Sequence, residues 1–68
     1  MLIKISDDKF IDSKKVEAVV IVPAAQHYDV FVNMSTNNAS YIVSTGHSSL
    51  EKAKQALNEL AVTINNAN

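Results

Sequence analysis

This 68-residue chain contains no cysteine and no arginine, and it has a single glycine and a single proline. Without cysteine, neither disulfide bonds nor thiolate metal sites can stabilise the fold. Without arginine, the chain lacks the planar donor group that favours recognition of phosphate and guanine. Six lysines and seven acidic residues give a net charge of −1. This composition disfavours nucleic-acid binding, which stays an alternative.

Long hydrophobic runs are also missing. The longest mostly apolar stretch, residues 18–25, contains Pro23 and is far shorter than the roughly 20 residues that span a membrane. The first eight residues show no basic segment followed by an apolar one, the pattern typical of a secretory signal. We therefore expect a cytoplasmic protein with no membrane contact.

Charge is scarce in the middle of the chain. Residues 18–50 carry one formal charge, Asp29, although small proteins normally protect their sheets with charges, above all with lysine on edge strands. A domain below roughly 70–80 residues usually needs an additional source of stability, and here oligomerisation is the one that remains. The pattern therefore predicts a sheet that a second copy or a partner protein covers.

The hydrophobic pattern predicts an α+β fold in one domain, residues 1–68. Strands are expected at residues 2–6, with a short extension at 10–11, and at 16–22, 28–34 and 39–45. Gly46 should end the last strand, and Ser48 with Glu51 resembles a capping box that starts a helix over about 49–64. The expected architecture is a three- to four-stranded antiparallel sheet on one C-terminal helix, in the order β-β-β-β-α.

The helix should face the sheet with one apolar stripe and end before a frayed tail, residues 65–68. Its members recur at three- and four-residue steps: Leu50, Ala53, Leu57, Leu60 and Ile64.

Strand alternation gives two candidate interface sets, because the sequence does not show which sheet face the helix covers. One set lies on a single parity: Val19, Ile21, Phe31 and Ile42. If the faces are reversed, the set becomes Val20, Val30, Val32, Tyr41 and Val43. Either set predicts a homodimer or a contact with a larger protein.

The best local candidate for a binding site is the loop before the helix. Free N–H groups at a helix N-terminus attract anions. The residues that would form such an anion site are Gly46, His47, Ser48, Ser49 and Lys52. A simpler interpretation of the same residues is that Ser48 caps the helix and Gly46 permits the turn.

No pattern indicates catalysis, a cofactor or a metal. His27 and His47 are the only histidines, and their spacing with Asp29 matches no recognised ligand pattern. Ser48, His47 and Asp29 offer the residue types of a catalytic triad, but no nucleophile elbow accompanies them. We therefore expect a protein that is not an enzyme.

The segment Phe10-Ile11-Asp12 with Val16 and Val19, followed by Tyr41-Ile42-Val43 and Ser48-Ser49-Leu50-Glu51, resembles the small FlbD/SwrD-type proteins of bacterial flagellar operons. The resemblance implies an N-terminal strand, a hairpin and a C-terminal helix. The chain departs from that family at the hairpin turn, where Asn37-Asn38 replaces glycine, and at the helix start, which is less acidic.

Together these observations predict a non-catalytic interaction or regulatory module, which includes the class of phage or mobile-element inhibitors of larger proteins. Two alternatives stay open: a nucleic-acid-binding dimer that uses its strands and lysines, and a binder of small anions at residues 46–49.

Overall fold

The computed structural model describes residues 1–68 as two antiparallel sheets and one helix. The five strands are β1 (Leu2–Ser6), β2 (Lys9–Asp12), β3 (Val16–Pro23), β4 (Tyr28–Met34) and β5 (Ser40–His47), and the helix is α1 (Leu50–Ala67). A 3₁₀ turn at Ser13–Lys15 joins β2 to β3. The predicted α+β class, with antiparallel strands packed on one C-terminal helix, is confirmed.

β1 and β2 form a hairpin of their own rather than joining the main sheet. Ile3 pairs with Ile11 across this hairpin, and Ile5 lies two residues further along β1 on the same side. All three isoleucines are buried in the hydrophobic core. The short strand expected at residues 10–11 is therefore β2, and it brings one apolar side of the hairpin into the core.

The main sheet has the order β3-β4-β5, so β4 is central. Every second residue of β4 is buried: Val30 and Val32 are fully inaccessible, and Met34 is nearly so. They pack in one cluster with Leu60 and Ile64 of α1, which places the helix on this face. Burying each such side chain contributes roughly 1.5–3 kcal/mol before the loss of conformational entropy is counted.

A β-bulge at the start of β3 breaks the simple alternation of that strand. Val16 pairs with Met34 but Ala18 pairs with Asn33, so Glu17 is an extra residue without its own partner. As a result Val16 lies against the core, whereas Ala18 lies on the opposite face of the sheet. Strict alternation from Val16 onward would place these two residues on one face, and the bulge separates them.

The sequence predicts that the last strand ends at Gly46, but β5 continues to His47, which pairs with Tyr28. Gly46 has a φ of +77°, a left-handed conformation that residues with a side chain rarely adopt. The register shifts between Tyr28 and Val30, so the strand is bulged around the glycine. The glycine therefore bends the strand instead of breaking it.

The helix begins and ends later than predicted. Ser49, not Ser48, is the N-cap: its hydroxyl accepts a hydrogen bond from the backbone N–H of Lys52 at 3.3 Å. The last turn is held because the side chain of Asn68 accepts a hydrogen bond from the Ser13 hydroxyl at 2.7 Å. Residues 65–67 are thus helical rather than frayed.

Candidate interaction surface

The face of the β3-β4-β5 sheet that is turned away from α1, called the outer face below, has an apolar row at its centre. Val20 of β3 pairs with Phe31 of β4, and Phe31 pairs with Ile42 of β5. Directly paired residues share a face, so the three side chains lie side by side across all three strands. Ile42 is 46% exposed, and Val22, one step along β3 on the same face, is 41% exposed.

Polar side chains that are hydrogen-bonded to each other border this row at both ends of the β4–β5 pair. At one end the Ser40 hydroxyl donates to the side-chain oxygen of Asn33 at 2.7 Å. At the other end the hydroxyl of Thr45 donates to the carboxylate of Asp29. Their hydrogen bonds run within the sheet, which leaves the uncharged row as the main feature that the outer face presents to a partner.

The structure divides the residues predicted for the interface between the two faces. Phe31 and Ile42 lie on the outer face, as the first set requires. Val19, Ile21 and Tyr41 instead pack against the core beneath α1. Neither parity set lies on a single face, because Val20, rather than Val19 or Ile21, pairs with Phe31.

The sequence pattern did not single out two exposed apolar residues of the hairpin. Leu2 is 67% exposed and Phe10 is 60% exposed, both on the side of the hairpin turned away from the core. Their cross-strand partners are charged: Asp12 faces Leu2, and Lys4 faces Phe10. This second patch therefore lacks the uncharged character of the outer face, which makes the outer face the stronger candidate.

Four of the five residues of the predicted anion site, Gly46, His47, Ser49 and Lys52, have hydrogen-bond partners within the protein. The backbone N–H of Gly46 donates to the Asp29 carboxylate at 3.2 Å, and the Ser49 hydroxyl caps the helix by accepting from the N–H of Lys52. His47 Nε2 lies 2.8 Å from the hydroxyl of Ser44. An external anion near Gly46 would approach the negative charge of Asp29, which weighs against this site.

Asp29 is the most strongly engaged charged residue near the outer face. Hydrogen bonds from the Thr45 hydroxyl and then from the Gly46 backbone hold the pKa of this carboxyl below its ordinary value of 3.8. His27 Nε2 lies 3.2 Å from the same carboxylate and adds a smaller effect in the same direction. Asp29 therefore ties the β3–β4 loop to β5 in its ionised form.

The two histidines contact different residues. Their two loops do meet at one end of the sheet, since Tyr28 pairs with His47. His27 contacts Asp29, however, whereas His47 contacts Ser44, and no group of three or more His, Cys, Asp or Glu residues could hold a metal ion. Asp29 reaches neither Ser48 nor His47 by a hydrogen bond, so no triad is assembled.

The single helix falls short of the length and apolar character that crossing a bilayer requires. No protein-family model, no curated protein and no solved structure matches this chain. The geometry of the outer face therefore provides the main basis for a functional proposal.

Proposed function

We propose that this chain is a non-catalytic protein-interaction module that contacts other protein chains through its outer face. One observation supports this most directly. Helix α1 covers one face of the three-stranded sheet, while the uncharged row Val20–Phe31–Ile42 on the other face is open to solvent. A contiguous exposed apolar patch on a small protein typically marks a contact with another chain.

The free energy available from this surface can be approximated from exposure. Full burial of an Ile or Val side chain contributes roughly 1.5–3 kcal/mol. Ile42 and Val22 retain somewhat less than half of their exposure. Covering them would then contribute about 0.6–1.4 kcal/mol each, with the partly exposed Phe31 and Val20 adding to that sum. Such contributions favour association because the row carries no charge that must be desolvated.

The second copy of the chain is the first partner we propose, and a larger target protein is the alternative. Nucleic acid fits this surface poorly, because residues 16–47, which form the whole sheet, contain no lysine. Affinity for nucleic acid depends mainly on cations that neutralise phosphates. The lysines lie instead on the hairpin, the 3₁₀ turn and the first turns of the helix.

The proposal is tested by light scattering over a concentration series with wild type, Phe31→Glu and Gln55→Glu. Both substitutions add one negative charge, but Gln55 is exposed on α1, away from the sheet. We expect the average mass of wild type and Gln55→Glu to rise alike with concentration. Phe31→Glu should assemble less far, because its carboxylate would have to be desolvated in the contact.

Circular dichroism of Phe31→Glu should show an unchanged fold, since residue 31 lies outside the core cluster. If Phe31→Glu assembles as far as wild type, the outer face is not the contact surface. A salt-sensitive complex with oligonucleotides at low ionic strength, lost in a Lys14→Gln/Lys15→Gln variant, would instead favour the nucleic-acid alternative.

A further inference from the structure

β3 is an edge strand whose middle has no protection against pairing. It has β4 on one side and no strand on the other. The Glu17 bulge disturbs its start, and Pro23, which lacks an N–H, ends it. Bulges and prolines are common devices that block an edge. Between them residues 18–22 form a regular, entirely apolar stretch that is open to another strand.

The opposite edge of the sheet is less suited to pairing. β5 changes register twice along its length, between Tyr28 and Val30 and again between Val30 and Phe31 of its partner. The ammonium group of Lys9 also lies 4.4 Å from the ring centre of Tyr41, which brings a positive charge to this strand. Irregular backbone and a lysine both discourage strand addition, so β3 is the edge that is available.

The hydrogen-bond pattern shows which backbone groups of β3 are free. The N–H of Ala24 donates to the carbonyl of His27 at 2.8 Å. In an antiparallel ladder, residues that bond to the neighbouring strand alternate with residues that do not. Counting back from Ala24 places the N–H and C=O groups of Val19 and Ile21 at the free edge. By the same count the backbone nitrogen of Pro23 lies at the free edge. Because proline has no N–H, no hydrogen bond to β4 is lost there, which is consistent with its place in an edge strand.

We propose that β3 pairs antiparallel with β3 of a second copy, about a two-fold axis at Val20. This inference rests on the proposed interaction role and adds a second contact to it: a copy pairs at the β3 edge, while the joined outer face stays open to another chain. Val20 then faces Val20 of the copy, Val19 faces Ile21, and Ala18 faces Val22. The free groups of Val19 and Ile21 form four main-chain hydrogen bonds across the axis. The result is one continuous six-stranded sheet.

The stretch is complementary to itself in charge as well as in backbone pattern. In this register Glu17 of each copy lies opposite Pro23 of the other, so no two like charges face each other. The two Glu17 carboxylates are six residues apart along the strands, about 20 Å. That distance exceeds the screening length of roughly 8 Å at physiological salt.

A groove beside β3 receives side chains of the copy. This open cavity of about 260 Å³ lies between β3, the 3₁₀ turn and α1, and its apolar lining includes Val16, Val19, Ala61 and Ile64. Val19 and Ile21 lie on the helix side of the sheet. In the Val20-centred register, Ile21 and Pro23 of the copy lie on that same side, next to the groove. The pairing thus covers apolar surface on both faces of the sheet.

Edge pairing also enlarges the outer face, which in one chain is small for a protein contact. Three strands of seven to eight residues give an outer face of about 14 by 23 Å, or roughly 330 Å² in projection. A stable interface buries about 800 Å² of accessible surface on each partner. Joining two sheets at β3 doubles the outer face and aligns two Val20–Phe31–Ile42 rows into one. The outer face of the pair, roughly 660 Å² in projection, then approaches the area that a stable contact with a protein partner buries.

The register is tested by pairing charges at Ala18 and Val22. Two variants carry the same lysine at residue 22, opposite Asp29 of their own chain, and differ only at residue 18, opposite the neutral Asn33. They are Ala18→Lys/Val22→Lys (the Lys/Lys variant) and Ala18→Glu/Val22→Lys (the Lys/Glu variant). Within one chain the two positions are about 13 Å apart, but across the proposed axis each faces the other directly. Like charges directly opposite destabilise a strand pair, whereas opposite charges stabilise it. Because symmetry repeats each contact, we expect the Lys/Glu variant to dimerise at least about tenfold more tightly than the Lys/Lys variant.

Amide hydrogen exchange gives a second, independent measurement. It is followed residue by residue at low and high concentrations of wild type and of Phe31→Glu. We expect the amides of Val19 and Ile21 to exchange at least tenfold more slowly at high concentration in both proteins. Phe31 lies one strand from the seam, and the two Phe31 residues are three strand spacings apart, about 14 Å, so its substitution should not disturb edge pairing.

The outcomes separate this inference from the proposed function. If Phe31→Glu assembles less far than wild type but Val19 and Ile21 stay unprotected, the outer face is a contact and the edge pairing is wrong. Protection of Val19 and Ile21 together with unchanged assembly of Phe31→Glu supports the edge and contradicts the face. Equal dimerisation of the Lys/Lys and Lys/Glu variants would overturn the Val20-centred register.

Discussion

Replacing Asn68 with alanine should destabilise the fold more than its position at the end of α1 indicates. Ser13, in the turn between β2 and β3, is 1% exposed, and its hydroxyl donates to the Asn68 side-chain oxygen at 2.7 Å. The Asn68 amide also donates to the backbone carbonyl of Ser13 at 3.3 Å. This pair is the polar link between the end of the helix and the turn that leads into β3.

The magnitude follows from which partner remains buried. Asn68→Ala leaves the Ser13 hydroxyl buried without an acceptor, which costs about 1–3 kcal/mol. Ser13→Ala removes the buried hydroxyl itself, while Asn68 is exposed and can bond to water, so we expect about 0.5–1.5 kcal/mol. A domain of this length has a total stability of only roughly 3–10 kcal/mol. The first substitution therefore removes a considerable part of the whole.

Urea denaturation followed by circular dichroism measures these differences. All variants are compared at one protein concentration, since self-association would change the apparent stability. With a denaturant slope of about 1 kcal/mol per molar, the midpoint of Asn68→Ala should fall by roughly 1–3 M. The double variant Ser13→Ala/Asn68→Ala should cost less than the sum of the single variants, because the two residues contact each other.

Two results would refute this reasoning. The first is a free energy of unfolding of Asn68→Ala that lies within about 0.3 kcal/mol of wild type, the limit of what such comparisons resolve. The second is a larger loss for Ser13→Ala than for Asn68→Ala. Either would mean that the helix end does not anchor the turn.

Two further predictions concern the loop between β5 and α1. The lowered pKa of Asp29 stabilises the fold while the carboxylate is ionised, fully above the unfolded value of 3.8 and progressively less as pH falls through the lower folded value. Thermal unfolding from about pH 6 to pH 2 should therefore show a shallower acid loss for Asp29→Asn than for wild type, and parallel curves would contradict this. Ser49→Ala should cost about 0.5–2 kcal/mol as a lost N-cap, whereas Ser48→Ala should stay near zero; the reverse order would make Ser48 the cap.

The local elements could be predicted because each depends on neighbouring residues. Apolar β-branched residues place β3 and β4 within one residue of their observed bounds. Asn38 adopts a φ of +55° in the turn before β5, as expected of an asparagine where a glycine is often found. The α+β class follows from this order of elements, since one amphipathic helix after several strands can bury its stripe only on a sheet.

The candidate surface was only half predictable, because a face depends on pairing between strands. Phe31 and Ile42 were assigned to a free face correctly, but Val19 and Ile21 were grouped with them although they lie under the helix. The register of β3 against β4 decides this assignment, since Val20, rather than Val19 or Ile21, pairs with Phe31. A register shift of one residue exchanges the two faces of a strand, and the alternation within one strand does not show which residues of the neighbouring strand it faces.

The sequence by itself determined that the strands are apolar and nearly uncharged, and that a capped, amphipathic helix follows them. Only the tertiary structure decided which side of the sheet that helix covers, and hence that Val20, Phe31 and Ile42 form the open row. It also showed that Asn68 holds the turn at Ser13, a contact across 55 positions of the chain. The physical reason is range: propensity and capping act between neighbours, whereas faces, registers and anchoring contacts exist only once distant segments have packed together.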